Sequence, residues 1–120
     1  MKILAVDDDE TILDLLAEAM RVGGHGSLTK ASSGRKALDI MANATEPFDC
    51  VLLDIQMPGI DGITLCTTIR SMPAYARAPI LMLTAMSQRD YFERAFQAGA
   101  TDYITKPFDF LELGTRLSVA

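Results

Sequence analysis

Cysteine, histidine and long apolar runs are what this 120-residue chain has least of, and each shortage excludes a class of protein. Cys50 and Cys66 share no CxxC spacing and sit in apolar surroundings, so they read as two reduced core thiols and exclude a disulfide framework. His25 is the single histidine, in the turn-like stretch Val22-Gly23-Gly24-His25-Gly26. One histidine cannot build a zinc site of the usual kind, and this one reads as a solvated turn residue. No apolar run approaches the roughly 18 residues that span a bilayer, and the apolar start Ile3 to Val6 meets Asp7, Asp8 and Asp9 before a signal-peptide core could form. Cations are short too. The 11 Lys and Arg against 16 Asp and Glu leave a formal charge of −5, which disfavours direct binding to nucleic acid or to an anionic membrane. A cytoplasmic protein is the expectation.

What is present is ordinary globular material: 49% apolar and 22% charged residues, enough for one domain around one core. There is no linker, repeat or low-complexity segment. Lys2 to Val6 reads as a strand buried on both faces. Ile12, Leu13, Leu15, Leu16, Ala19 and Met20 recur at helical spacing, and Gly23-Gly24 stops that helix. Leu28 to Ala31 is a weaker strand, and Ser32 or Ser33 opens a helix carrying Ala37, Leu38 and Met41. Val51 to Leu53 forms a strand that runs into Asp54. A turn at Met57-Pro58-Gly59 and a helix with Ile63, Leu65, Cys66 and Ile69 follow, closed by Pro73. Pro79 to Leu83 is the next strand, ending at Thr84. Ser87 with Asp90 resembles a capping box for a helix through Ala98, stopped by Gly99. Tyr103 to Thr105 is the last strand, and Asp109 with Glu112 caps a final helix. Five strands alternating with five helices over short connections predict an α/β fold, a doubly wound parallel sheet covered on both faces.

The polar residues of interest fall at strand ends. Asp7, Asp8 and Asp9 follow the first strand, Asp54 the third, Thr84 the fourth, and Lys106-Pro107 the fifth. In an open parallel sheet the ligand crevice lies beyond those carboxyl ends. Asp9 reads as the cap of the first helix. Carboxylates about 5 Å apart repel by roughly 3 kcal/mol per pair at an effective dielectric of 20, so such a cluster needs a cation. Oxygen donors without a histidine or thiolate suit Mg²⁺, with Mn²⁺ as a substitute, and Mg²⁺ commonly meets a phosphate oxygen. Lys106 supplies a point charge and Thr84 a hydroxyl for phosphoryl oxygens, which leaves Asp54 as the candidate nucleophile. Without metal the crowded acids should carry raised pKa values, and Mg²⁺ should relieve the penalty by binding only the folded chain.

With these residues in view, the chain resembles a response-regulator receiver domain over essentially its whole length. The segments that carry the resemblance run from Ile3 to Glu10, from Leu52 to Gly62, from Leu83 to Ala85 and from Ala98 to Phe108. The resemblance implies a single receiver domain over 1–120 with no output domain in this stretch, a flavodoxin-like sheet of order 2-1-3-4-5, and phosphorelay signalling rather than a conventional enzyme. It implies that Asp54 takes a phosphoryl group from a sensor histidine kinase or a phosphotransfer protein. Asp7, Asp8, Asp54 and the main-chain carbonyl of Gln56 would hold Mg²⁺, Thr84 and Lys106 would bind the phosphoryl oxygens, and the Lys106-Pro107 bond would be cis. It further implies a switch in which Thr84 moves toward the phosphoryl group and Tyr103 turns inward.

By the same resemblance, an output domain or docking partner would read the fourth helix, fifth strand and fifth helix, with homodimer formation on phosphorylation. On the fourth helix Phe92, Ala95 and Phe96 share a face and read as core, which leaves Tyr91 as the interface candidate. The positions two beyond the acceptor and two beyond the threonine are Gln56 and Met86, and the apolar Met86 favours slow autodephosphorylation. Two rival readings stand beside this one. Asp7-Asp8-Asp9-Glu10-Thr11 also fits the DxDxT motif of haloacid-dehalogenase-like phosphatases, but that reading leaves Asp54 to Gly59 unexplained and lacks a later acidic strand. A receiver-like module that is never phosphorylated would have lost an acidic, threonine or lysine position, and none is missing.

Overall fold

The computed structural model describes residues 1–119. Strands β1 (Lys2–Val6), β2 (Ser27–Ala31), β3 (Cys50–Leu53), β4 (Ile80–Thr84) and β5 (Asp102–Thr105) alternate with helices α1 (Glu10–Gly23), α2 (Gly34–Asn43), α3 (Gly62–Arg70), α4 (Arg89–Gln97) and α5 (Phe110–Val119). The strands form one parallel sheet of order β2-β1-β3-β4-β5. The doubly wound parallel sheet is the one expected from the alternation, and its flavodoxin-type strand order is the one the resemblance implies. No described helix is long and apolar enough to cross a membrane.

Strand residues alternate between two cores, which is why the central strands read as unbroken apolar runs. Leu4, Val6, Val51, Leu53, Ile80 and Met82 pack with Ala37, Met41, Leu65, Ile69 and Ala95 of α2, α3 and α4. Ile3, Ala5, Cys50, Leu52, Leu81, Leu83 and Ile104 pack with Leu13, Leu16, Met20, Leu113 and Leu117 of α1 and α5. Cys50 and Cys66 are buried, free thiols, and burial pushes the Cys50 thiol up to about 12, so it stays protonated at neutral pH.

Four helices start on side-chain caps, each typically worth about 1 kcal/mol. Asp9 accepts from Thr11 N at 2.9 Å, Ser33 from Lys36 N at 3.1 Å, Asp61 from Thr64 N at 2.8 Å and Asp109 from Glu112 N at 2.6 Å. The helix α4 is the exception. It begins one residue later than a Ser87 cap requires, its N-cap is Gln88, and no side chain caps it. The expected Ser87 and Asp90 box is therefore absent. Phe96 also departs from expectation: Ala95 is fully buried and Phe92 half-buried, but Phe96 lies a further 100° around the helix and is 47% exposed. Strand β4 starts at Ile80 rather than Pro79, which has no N–H for the ladder, although its carbonyl accepts from Val51 N at 3.0 Å. His25 is half-buried rather than freely solvated, its ring lying against Gly23 and Gly114, where the missing side chains leave room.

Gly62 fixes how α3 leaves the sheet. A Cβ on it would sit 1.9 Å from the Asp54 carbonyl oxygen and 2.8 Å from Ile55 Cα, and its N–H donates to the Ile55 carbonyl at 2.8 Å. Only glycine permits this approach of helix to strand end. Gly62→Ala is therefore expected to destabilise the chain by about 3 kcal/mol in urea unfolding, the cost of a forced backbone shift. A change within about 0.5 kcal/mol, the range of a neutral surface substitution, would show that the approach is not a constraint.

Candidate functional site

The strand register brings the polar residues level. Val6 pairs with Leu53, so Asp7 and Asp54 leave the sheet side by side. Thr84 pairs with Thr105, so Lys106 emerges beside the end of β4. Backbone bonds continue past the strands and hold the rim: Asp7 N donates to the Ala31 carbonyl at 3.1 Å, Asp54 N to the Val6 carbonyl at 3.0 Å, and Lys106 N to the Thr84 carbonyl at 2.8 Å.

One oxygen from each of Asp7, Asp8 and Asp54 can be chosen so that all lie within 4.8 Å of one another. Asp7 is 2% and Asp54 7% exposed, while Asp8 opens the cluster to solvent. Lys106 Nζ lies 2.6 Å from Asp7 Oδ2 and 3.6 Å from Asp54 Oδ2, so one ammonium bridges the two buried acids. Asp7 is braced from behind by the Asp9 N–H, which donates to Oδ1 at 2.9 Å. Burial raises the Asp7 pKa, against the opposing hydrogen bonds from Lys106 and Asp9 N–H, and the charge of Asp54 raises it further. A single ammonium facing three carboxylates leaves an uncompensated negative charge on an all-oxygen donor set, which fits a hard divalent cation.

Thr84 is fully buried, and its Oγ1 accepts from Met86 N at 3.3 Å. The Tyr103 ring is already inside, 8% exposed, packed 4.0 Å from the Phe92 ring, and its hydroxyl donates to the Met86 carbonyl. Burial pushes the Tyr103 hydroxyl up to about 12, with the charge of Asp54 a second cause. Met86 is thus gripped through its backbone by both switch candidates, a link that nothing in its side chain signalled. Gln56 and Met86 line a groove with Tyr91, Arg94 and Asp61, in which Tyr91 is half-buried beneath the Arg94 guanidinium, 5.5 Å from its ring centre. The Lys106-Pro107 bond is cis. Cys50 opens β3 at the end of that strand away from Asp54, and His25 faces α5, so neither belongs to this cluster.

The family model of the response regulator receiver domain matches residues 3–118. The chain belongs to that family. It is 42% identical over 116 residues to the uncharacterized transcriptional regulatory protein YrkP of Bacillus subtilis, covering 97% of this chain and 47% of that protein. To the transcriptional regulatory protein YvrH of the same organism it is 37% identical over 115 residues, covering 96% of this chain and 46% of that protein. The chain thus spans about half the length of these relatives. The chemotaxis protein CheY4 of Vibrio cholerae superposes with a TM-score of 0.91 at 30% identity, over 98% of this chain and 96% of that one. The response regulator DrrB of Thermotoga maritima, an OmpR/PhoB homologue, gives 0.84 at 32% identity over 98% of this chain and 50% of that one. Membership answers the phosphatase reading, because the receiver family accounts for the Asp54 segment that the DxDxT motif leaves over. Mg²⁺ at the acidic pocket is a property of this family, and the clustered acids accord with it.

Asp7→Asn tests the electrostatics of the metal-free cluster. A carboxyl whose folded pKa lies above its unfolded value costs stability once it ionises, so the cost is full at neutral pH and fades as pH falls through the folded pKa. In EDTA the variant should be more stable than the parent at pH 7 in urea unfolding, with the advantage shrinking on acidification. A variant less stable at pH 7, by an amount independent of pH, would contradict the crowding.

Proposed function

We propose that this receiver domain is a phosphoacceptor in a two-component phosphorelay and that Asp54 is the residue modified. The observation that carries the reading is the Lys106 ammonium bridging Asp7 and Asp54 at the sheet's carboxyl edge, in a chain of this family. An Asp54 carboxylate oxygen attacks the phosphorus of a phosphohistidine on a sensor kinase or phosphotransfer protein; the P–O bond forms as the P–N bond breaks, and the imidazole leaves with the electron pair. Lys106 moves its charge from the carboxylates to a phosphoryl oxygen, and the Thr84 hydroxyl donates to another. Asp7, Asp8, Asp54 and the Gln56 carbonyl are the proposed holders of Mg²⁺ or Mn²⁺, which when bound would supply positive charge to the phosphoryl transfer.

In this reading residues 1–120 are one receiver domain, and its chemistry is confined to its own phosphorylation and autodephosphorylation. The output is read on α4, β5 and α5 by an output domain or docking partner, with pairing of two copies on phosphorylation. Tyr91 and the exposed Phe96 lie on that surface. The relatives' length supports an output domain elsewhere in the native protein, and any contact with DNA would belong there rather than to this acidic domain. The reduced buried thiols and the lack of a described membrane-crossing helix accord with the cytoplasm.

Acetyl phosphate with Mg²⁺, followed by mass spectrometry of peptides, should add one phosphate on Asp54 and none in Asp54→Asn. Label or turnover through Asp7 would instead support the phosphatase chemistry, and no label at all the unphosphorylated module. Sedimentation of the chain after beryllofluoride and Mg²⁺ should show a dimer that is absent before; an unchanged profile would remove pairing from the account.

A further inference from the structure

We infer that α4 is a lever hinged at its C-terminal end and that Arg70 holds the hinge. The two ends of α4 are secured by different means. Its start has no side-chain cap, and the loop before it is tied to the sheet through the Met86 backbone, whose N–H meets Thr84 Oγ1 at 3.3 Å and whose carbonyl accepts from the Tyr103 hydroxyl. Its end is clamped. From the last turn of α3, Arg70 Nε donates to the Gly99 carbonyl at 2.9 Å, Nη1 to the Tyr75 carbonyl at 2.8 Å and also to the Ala78 carbonyl, and Nη2 to Thr101 Oγ1 at 3.2 Å. Cys66 Sγ reaches the Ala98 carbonyl at 3.5 Å, and the fully buried Ala95 sits in the same stretch of the helix.

Gly99 completes the clamp. Its φ of +108° suits glycine, and a Cβ there would lie 2.8 Å from Arg70 Cγ, so the arginine stem passes only because the side chain is missing. Bonds from a guanidinium to carbonyls are charge-assisted and stronger than neutral ones; the one to Gly99 holds the end of α4, and those to Tyr75 and Ala78 anchor the fork to the segment before β4. The free end, by contrast, is held by the bonds of Thr84 and Tyr103 to the Met86 backbone and by the packing of Phe92 on the Tyr103 ring, all of which run through the two switch candidates or their immediate neighbours. The inference rests on the reading of Asp54 as phosphoacceptor. When the Thr84 hydroxyl turns toward a phosphoryl oxygen, its bond to Met86 N is drawn on, and the uncapped end of α4 follows while Ala98 and Gly99 stay in place. Arg70 lies toward the opposite edge of the sheet, where Thr101 N donates to the Ile80 carbonyl at the start of β4, so it is a positioning residue that never meets the phosphoryl group.

Hydrogen exchange read by mass spectrometry on the parent, Arg70→Lys and Arg70→Met, with and without beryllofluoride and Mg²⁺, tests the hinge. Acetyl phosphate labelling of Asp54 is measured on the same preparations. In the parent, beryllofluoride should change exchange by about tenfold over residues 86–92 and by less than about twofold over residues 97–101. In Arg70→Met the change should spread into residues 97–101 while Asp54 still takes label, and Arg70→Lys, which keeps the charge but loses the fork, should fall between. If Arg70→Met does not fold, Gln88→Asp supplies the missing cap at the free end and should shrink the change over residues 86–92. A uniform change along α4 in the parent, or one confined to residues 97–101, overturns the hinge. Loss of Asp54 labelling in the parent overturns the phosphoacceptor reading instead.

Discussion

The mutual repulsion of Asp7, Asp8 and Asp54 is the constraint on which the rest of the molecule depends. Two of these acids are buried at the sheet edge, where water screens them poorly, and Lys106 is the ammonium set between them. Lys106 is held in turn by the β5 backbone through its N–H to the Thr84 carbonyl. A fold that placed the third strand one residue out of register would turn Asp54 to the other face of the sheet and leave Lys106 with one partner. The cluster is therefore a set of like charges held close by the parallel sheet, and a bound divalent cation would relieve the repulsion.

From that edge the structure grades outward. Thr84 and Tyr103 each hold the Met86 backbone, so the residues nearest the charge are mechanically joined to the start of α4. The far end of the same helix is fixed by Arg70 and Gly99. In the proposed hinge, a local change of hydrogen bonding at Thr84 would move one end of this helix, the kind of bistable element that a modification can bias.

The sheet and the acidic edge were legible in the sequence because both rest on patterns that chain chemistry writes locally. Continuous apolar runs at Ile3 to Val6, Val51 to Leu53 and Ile80 to Leu83 mark strands buried on both faces, and a charged or hydroxyl residue directly after each, Asp7, Asp54 and Thr84, marks the carboxyl edge of the sheet although all three are themselves buried. The caps at Asp9, Ser33 and Asp109 were legible because they follow from short-range hydrogen bonding; the cap at Asp61 has the same local basis but was not anticipated. Other features were misread or hidden. Ser87 and Asp90 have capping-box spacing, but α4 starts a residue later; Phe96 has core periodicity, but Ala95 and Phe92 pack inward while Phe96 is exposed. His25 is half-buried because of Gly114, a residue nearly ninety positions away in sequence. The Arg70 clamp leaves no signature, since three of its four acceptors are main-chain carbonyls, which every residue has.

The central claim is that the ends of β1, β3 and β5 form one cation site. An Mg²⁺ titration followed by amide NMR of the chain addresses it most directly. The account predicts that the amides of residues 7–9, 54–57 and 105–106 shift together and fit a single dissociation constant. Separate constants for these segments, or shifts confined to the exposed acids elsewhere on the surface, would contradict it.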